Sequence, residues 1–131
     1  MRFLLDTNIC IAYLGDRDAK VRERLLSLSP RDVVLCSVVR AELLYGARNS
    51  QKVAANLRRL ERFFASLDSL PFDDAAAEWY GAIRAQLTRE GRLIGANDLM
   101  IAATARAAEV TLVTRNEDEF RRVTGLRVES W

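Results

Sequence analysis

Short apolar runs alternate with amphipathic segments along this chain of 131 residues. The runs Arg2–Leu5, Val33–Cys36 and Thr111–Thr114 lack polar alternation, which is typical of strands buried on both faces of a parallel sheet. Segments Ser69–Phe72 and Leu126–Val128 are predicted as two further strands. Strands that alternate with helices predict an α/β fold, a three-layer α/β/α sandwich with a central, mainly parallel sheet.

Helical periodicity fills the segments between these strands. Polar residues that can cap or open a helix stand at most of the predicted starts: Asn8, Asp18, Ser37, Ser50, Asp73, Asn97 and Asn116. The helix that Asn97 is predicted to cap is apolar nearly all round, so it should be buried. Pro71 cannot donate a backbone hydrogen bond, which places its strand at the edge of the sheet.

The composition fits one domain spanning residues 1–131, since half of the residues are hydrophobic and can fill one core. No apolar stretch reaches the roughly 18 to 20 residues that cross a bilayer. The first residues also lack the features of a secretory signal, so we expect a cytoplasmic protein with no membrane partner. Cys10 and Cys36 lack the paired spacing of a zinc site and are predicted to be small buried thiols.

The chain contains no histidine. This excludes imidazole acid–base catalysis, Ser-His-Asp triads and metal sites with histidine ligands. An enzyme with this sequence must use carboxylates, Cys, Lys, Tyr or a metal ion held by oxygen atoms. The net charge of +2 does not by itself indicate a nucleic-acid-binding protein.

Three acids stand where a parallel sheet gathers its ligands. Asp6 ends the first strand, Glu42 lies in the second turn after the second strand, and Asp98 begins the apolar helix. The carboxyl ends of parallel strands face one side of the sheet. Three carboxylates crowded there repel one another, and no lysine lies close in sequence to neutralise them. A hard divalent cation, Mg²⁺ or Mn²⁺, would do so.

Each acid also has a purely structural interpretation. Asp6 can close an Asx turn, Glu42 can lie on an exposed stripe, and Asp98 can interact with the helix dipole. A fourth contribution is predicted after the fourth strand, where three candidates lie in what is otherwise a solvated helical turn: Asn116, Asp118 and Glu119.

Four segments then identify a family. The chain resembles the PIN-domain ribonucleases, and specifically the VapC toxins of VapBC toxin–antitoxin modules. The resemblance covers essentially the whole chain, in order and without large insertions. Its segments are Leu4–Ile9, Ser37–Leu43 with Gly46, Ile94–Ala102, and Leu112–Asn116 with Glu119–Phe120, followed by Gly125–Arg127.

The resemblance implies an endoribonuclease that depends on Mg²⁺ or Mn²⁺, with Asp6, Glu42 and Asp98 as catalytic and metal-binding acids. The family often has a fourth acid after the last core strand, and this chain has Asn116 at the first matching position. Further contacts with the metal or its waters are therefore expected from one or more of four residues: Asn116, Glu119, Asp118 and Thr114.

The resemblance also implies partners: a VapB-type antitoxin, an RNA substrate (tRNA or rRNA cut at one site) and a second copy in a homodimer. Hydrolysis by water should leave 5′-phosphate and 3′-hydroxyl ends, because no histidine pair exists to drive attack by the 2′-hydroxyl. Arginines near the site should hold the RNA in a salt-sensitive way: Arg40, Arg48, Arg92 and Arg115, with Arg84 and Arg89 as further candidates.

Two other functions compete with this one. A phosphotransfer enzyme or receiver domain also places acids at strand ends, but Asp6-Thr7-Asn8 lacks a second acid and no lysine lies where a receiver would need it. The alternative from another class is a catalytically inactive PIN-like module that only binds RNA or an antitoxin. Retention of three costly carboxylates favours the nuclease.

Overall fold

A computed structural model describes residues 2–131 and contains five strands: β1 Phe3–Leu5, β2 Val33–Cys36, β3 Asp68–Leu70, β4 Thr111–Val113 and β5 Val128–Glu129. Seven α-helices lie within these residues: α1 Thr7–Leu14, α2 Ala19–Leu26, α3 Ser37–Arg48, α4 Val53–Ala65, α5 Asp74–Arg89, α6 Ala96–Ala108 and α7 Glu117–Phe120. The strands form one all-parallel sheet in the order β3-β2-β1-β4-β5. The predicted three-layer α/β/α sandwich is confirmed.

The three central strands carry the core. Every residue of β1, β2 and β4 is buried, because helices cover both faces of the sheet. Strand β3 lies at the edge, as Pro71 predicted, although the strand ends at Leu70, just before the proline. The last strand begins at Val128, later than the predicted Leu126, because Val128 is the residue that pairs with Leu112 of β4.

The register between β1 and β4 determines which residues meet at the carboxyl end of the sheet. Leu5 pairs with Val113, so Asp6 and Thr114 follow the strands side by side. The backbone N–H of Asp6 donates to the carbonyl of Val113 at 3.1 Å. On the other side of β1, α3 begins directly after Cys36 at the end of β2.

The predicted cap Asp18 is confirmed, and Asp73, which was predicted to begin a helix, is the N-cap of α5. The carboxylate of Asp18 accepts a hydrogen bond from the N–H of Val21 at 3.1 Å, and that of Asp73 accepts one from Ala76 at 2.9 Å. Each satisfies a backbone donor that the first helical turn would otherwise leave without a partner.

Two other predicted caps were wrong. Ser37 is the first residue of α3, and Cys36 is the N-cap, because β2 runs into the helix with no intervening loop. Asn97 lies inside α6, which begins at Ala96 with Gly95 as its N-cap. Neither of these helix starts has a side-chain cap hydrogen bond.

The most apolar helix is buried as predicted. Leu99 and residues 101–105 of α6 are buried, and α5 packs along this helix. Cys10 and Cys36 are free, buried thiols, which also agrees with the sequence. No helix within residues 2–131 combines the length and the apolar character that crossing a membrane requires.

Candidate active site

Asp6 is a buried carboxylate, with 5% of its surface exposed, at the end of the central strand. Its Oδ1 atom accepts a hydrogen bond from the N–H of Ile9 at 2.9 Å, which caps α1. Its Oδ2 atom accepts one from the hydroxyl of Thr114 at 2.5 Å. Burial raises the pKa of Asp6 above its ordinary value, and these two hydrogen bonds oppose the rise. The side chain is therefore fixed in orientation from both sides.

Glu42 lies half-buried in the second turn of α3. The hydroxyl of Thr7 donates a hydrogen bond to its Oε1 atom at 2.8 Å. Thr7 was not among the predicted site residues. Its only signal in the sequence is its position, directly after Asp6 at the start of α1. The interpretation of Glu42 as an ordinary exposed glutamate does not hold, because the side chain is partly buried and held by a hydroxyl group.

Asp98 is the third residue of α6 and lies half-buried beside Glu119 of α7. The pKa of Asp98 rises to about 7, first because of burial and then because of its hydrogen bond with Glu119. The negative charges of Glu119, Glu42 and Asp6 raise it further. Two carboxyl groups can share a hydrogen bond only when one carries a proton, which agrees with the raised pKa of Asp98.

The segment after β4 contains the three candidates for a fourth site residue, and the structure distinguishes between them. Asn116 is the N-cap of α7, and its amide donates to the Oε2 atom of Glu119. The backbone N–H of Asn116 donates to the hydroxyl of Thr114 at 2.9 Å. Asp118 is exposed. Of the three candidates, Glu119 is the one whose carboxyl group contacts Asp98, with Asn116 orienting it.

The four acids Asp6, Glu42, Asp98 and Glu119 are called the acidic cluster below. No Lys or Arg side chain within residues 2–131 forms a salt bridge with any of them. Within residues 2–131 no three of these acids converge on one point as metal ligands. As a donor set they fit a hard divalent cation, since all four offer carboxyl oxygen atoms and none has a salt-bridge partner within residues 2–131.

The predicted RNA-binding arginines lie in different surroundings. Arg115 forms a salt bridge with Asp18 and donates to the carbonyl of Trp131. Arg40 lies over the ring of Phe64, at 4.4 Å from its centroid. The other two arginines, Arg48 and Arg92, are exposed. Arg115 and Arg40 are thus already engaged within the fold, and the role of all four in RNA binding stays a prediction.

Comparison with known proteins gives the family. The PIN domain matches residues 3–126 of this chain. The tRNA(fMet)-specific endonuclease VapC of Shigella flexneri is 46% identical over 131 residues, covering 100% of this chain and 98% of that protein. The same-named Salmonella typhimurium enzyme is 38% identical over 100% of this chain and 98% of its own length.

Solved structures agree. VapBC2 from Rickettsia felis, bound to a DNA fragment from the promoter, superposes with a TM-score of 0.93 at 36% identity, covering 100% of this chain and 99% of that one. DNA-bound VapBC from Salmonella typhimurium gives a TM-score of 0.93 at 38% identity, covering 100% and 98%. PIN-domain nucleases generally use a divalent metal ion. The chain therefore belongs to the PIN domain family and is a ribonuclease of its VapC group, the toxins of VapBC toxin–antitoxin systems.

Proposed function

We propose that this chain hydrolyses RNA phosphodiester bonds with the acidic cluster, using Mg²⁺ or Mn²⁺. One observation carries the assignment: at the carboxyl end of a parallel sheet, buried and half-buried carboxylates lie near enough to raise one another's pKa, and none has a salt-bridge partner in residues 2–131. Such a group of acids raises the energy of the metal-free fold, which a bound cation would lower again. In this proposal, residues 1–131 form a single PIN domain.

Asp6 and Asp98 would be direct ligands of the cation, with Glu42 and Glu119 completing the site. When bound, a divalent cation supplies charge neutralisation, a more acidic water and stabilisation of the leaving oxygen. Thr114 and the N–H of Ile9 hold Asp6 in one orientation, so little reorganisation is needed when the substrate arrives.

Glu42, positioned by Thr7, orients the attacking water beside the phosphate. The water oxygen forms a bond to phosphorus as the bond to the 3′ oxygen breaks, and a proton passes to that oxygen. The products are a 5′-phosphate and a 3′-hydroxyl. The chain has no histidine for the alternative route through the 2′-hydroxyl.

The relatives suggest the substrate and partners. Two similar proteins are named tRNA(fMet)-specific endonucleases. We therefore propose that the substrate is a structured RNA cut at one site, with tRNA favoured over rRNA. Similar structures were solved as VapBC complexes, so we propose a VapB-type antitoxin as the inhibitor. A homodimer acting on RNA in the cytoplasm completes the proposal. Light scattering and co-expression with a VapB-type antitoxin test the assembly.

RNA cleavage tests the chemistry. The wild-type protein, Asp6→Asn and Asp98→Asn are incubated with tRNA in Mg²⁺ and in EDTA. We expect cleavage only by the wild-type protein with Mg²⁺, because each substitution removes a ligand charge while nearly preserving side-chain volume. Leu26→Ala, an exposed change on α2, a helix that carries none of the four acids, is the control and should cleave normally.

Two results would refute the proposal. Equal behaviour of the wild-type protein and both Asn variants would show that the acidic cluster does no chemistry and would favour the inactive binding module. Products that end in 2′,3′-cyclic phosphate would show that the 2′-hydroxyl, not water, is the nucleophile.

A further inference from the structure

An open cleft of about 730 Å³ adjoins the acidic cluster on the side of α3 and α6. Glu42 and its partner Thr7 form part of its wall, so the cleft is continuous with the proposed catalytic site. The other walls contain residues that the proposed chemistry does not use. Those that matter here are Asn8, Tyr45, Asn97 and Met100.

Tyr45 is the most exposed of the large hydrophobic side chains in residues 2–131, at 70%. It follows Glu42 by three positions on α3, so the two side chains lie on neighbouring parts of the same helix face. Both line the cleft. The ring of Tyr45 is therefore free to stack against a flat ligand, one helical turn from the proposed catalytic carboxylate of Glu42.

The polar groups of the cleft complement the ring. The side chains of Asn8 and Asn97 are exposed, and each offers an amide that can both donate and accept hydrogen bonds. Met100 is half-buried and contributes an adaptable apolar surface. An aromatic face beside amide groups is the combination that takes an unpaired nucleobase, stacked on its face and hydrogen-bonded at its edge.

We infer that this cleft is a nucleobase subsite: Tyr45 stacks on an unpaired RNA base next to the cut phosphate, and Asn8 and Asn97 bind its edge. The inference rests on the proposed function, because the cleft is assigned to RNA by its position: its wall contains Glu42, one of the proposed catalytic acids. A second copy of the chain packed into the cleft would bury that charge and both amides and would close the approach to the acidic cluster.

Binding to short fluorescent homopolymer RNAs tests the subsite. The Asp6→Asn variant is used with Mg²⁺ present, so that binding is measured without cleavage. Adding Tyr45→Ala should weaken binding about 10-fold for every homopolymer, since stacking tolerates any base. Adding Tyr45→Phe should leave affinity within about 2-fold, because the ring remains. Leu26→Ala, another exposed apolar residue but on α2, is the matched control and should bind like its parent.

The amides give a different signature. Asn8→Ala and Asn97→Ala should change the ranking of the homopolymers, because an amide binds one base edge better than another. In cleavage assays of otherwise wild-type protein, Tyr45→Ala should raise KM more than it lowers kcat, because the ring binds a base that does not itself react.

Several outcomes would overturn the subsite. If Tyr45→Ala binds RNA as tightly as its parent, Tyr45 does not stack on a base. If both Asn variants leave the homopolymer ranking unchanged, the amides do not bind the base edge. A change of molar mass by light scattering with unchanged RNA affinity would identify the cleft as a protein interface instead. If Tyr45→Ala cleaves RNA with the same kcat and KM as the wild-type protein, only the subsite is refuted. If RNA binding depends on Tyr45 but the wild-type protein does not cleave RNA, only the nuclease chemistry is refuted.

Discussion

The hydroxyl of Thr114 donates a hydrogen bond to the carboxylate of Asp6, across 108 positions in the sequence. The two residues meet because Leu5 and Val113, which precede them, are partners in the parallel pairing of β1 and β4. The same hydroxyl accepts a hydrogen bond from the N–H of Asn116, so its orientation is fixed. Thr114 thus connects the central strand with the segment that carries Glu119.

Replacing Thr114 by Val should test this connection. The change keeps the side-chain shape but removes the hydrogen bond that opposes the burial-induced rise in the pKa of Asp6. The pKa of Asp6 should then rise further and its carboxylate loses one of its two orienting hydrogen bonds. Hydrogen bonds to charged groups are worth about 1.5–3 kcal/mol, so we expect cleavage to fall about 10- to 100-fold. Activity is measured as a function of Mg²⁺ concentration. Thr114→Ser, which retains the hydroxyl, should keep most of the activity, and equal activity of the Val and Ser variants would contradict the assigned role.

The metal-free protein should lose stability as the pH rises from about 4 to about 8. The pKa of Asp98 is about 7 in the folded state against 3.8 as the ordinary value, so the folded state holds a proton that the unfolded state has released. Its stabilising effect is complete below the unfolded pKa and disappears as the pH passes through the folded pKa. For this partly exposed group we expect about 1–2 kcal/mol.

Urea denaturation in EDTA across this pH range measures the loss. Asp98→Asn cannot titrate, so its stability should change less over the same interval and should exceed that of the wild-type protein at the upper end. A wild-type profile that is flat, or that rises towards pH 8 more steeply than that of the Asn variant, would show that Asp98 does not titrate as described.

Gly125 should tolerate no side chain. Its φ is +79°, and a Cβ atom placed there would lie 2.9 Å from the guanidinium carbon of Arg106. That guanidinium group cannot easily move, because it stacks over Trp79 at 4.1 Å and donates to the carbonyl of Gly125. Gly125→Ala should therefore cost the backbone strain of a positive φ plus about 1 kcal/mol for displacing Arg106.

Gly91→Ala is the matched control, since Gly91 also has a positive φ, +66°, but an added Cβ meets nothing within 4 Å. Its free energy of unfolding should fall by about 1 kcal/mol from strain alone. Repeating Gly125→Ala in an Arg106→Ala background should remove the excess over Gly91→Ala. If the two single variants lose equal stability, the contact with Arg106 has no energetic consequence.

Glu109→Gly should stabilise the protein. Glu109 ends α6 in the left-handed conformation, at φ 55° and ψ 43°, which costs a non-glycine residue about 1 kcal/mol. Arg127 donates to its backbone carbonyl, a contact that glycine keeps. Thermal and urea unfolding should show a gain approaching about 1 kcal/mol. Glu109→Ala retains the strain and serves as the control, and a gain of equal size there would assign the effect to the lost side chain.

The sequence by itself determined the sheet and the main acids. The apolar runs of β1, β2 and β4 can be read from the chain because burial on both faces excludes polar residues locally. Asp6, Glu42 and Asp98 follow from the same pattern, since a carboxylate directly after such a run, or on an apolar helix, stands out against its neighbours. The helix caps Asp18 and Asp73 are equally local, because each cap binds a backbone N–H three residues away.

Only the tertiary structure decided which partners these acids have. The contact of Thr7 with Glu42 spans 35 positions, and that of Arg115 with Asp18 spans 97. The choice of Glu119 over Asp118 depends on where α7 lies against α6. Strand register and helix packing set these contacts, and no sequence periodicity encodes them, because side chains that are adjacent in space come from elements whose relative position the whole core determines.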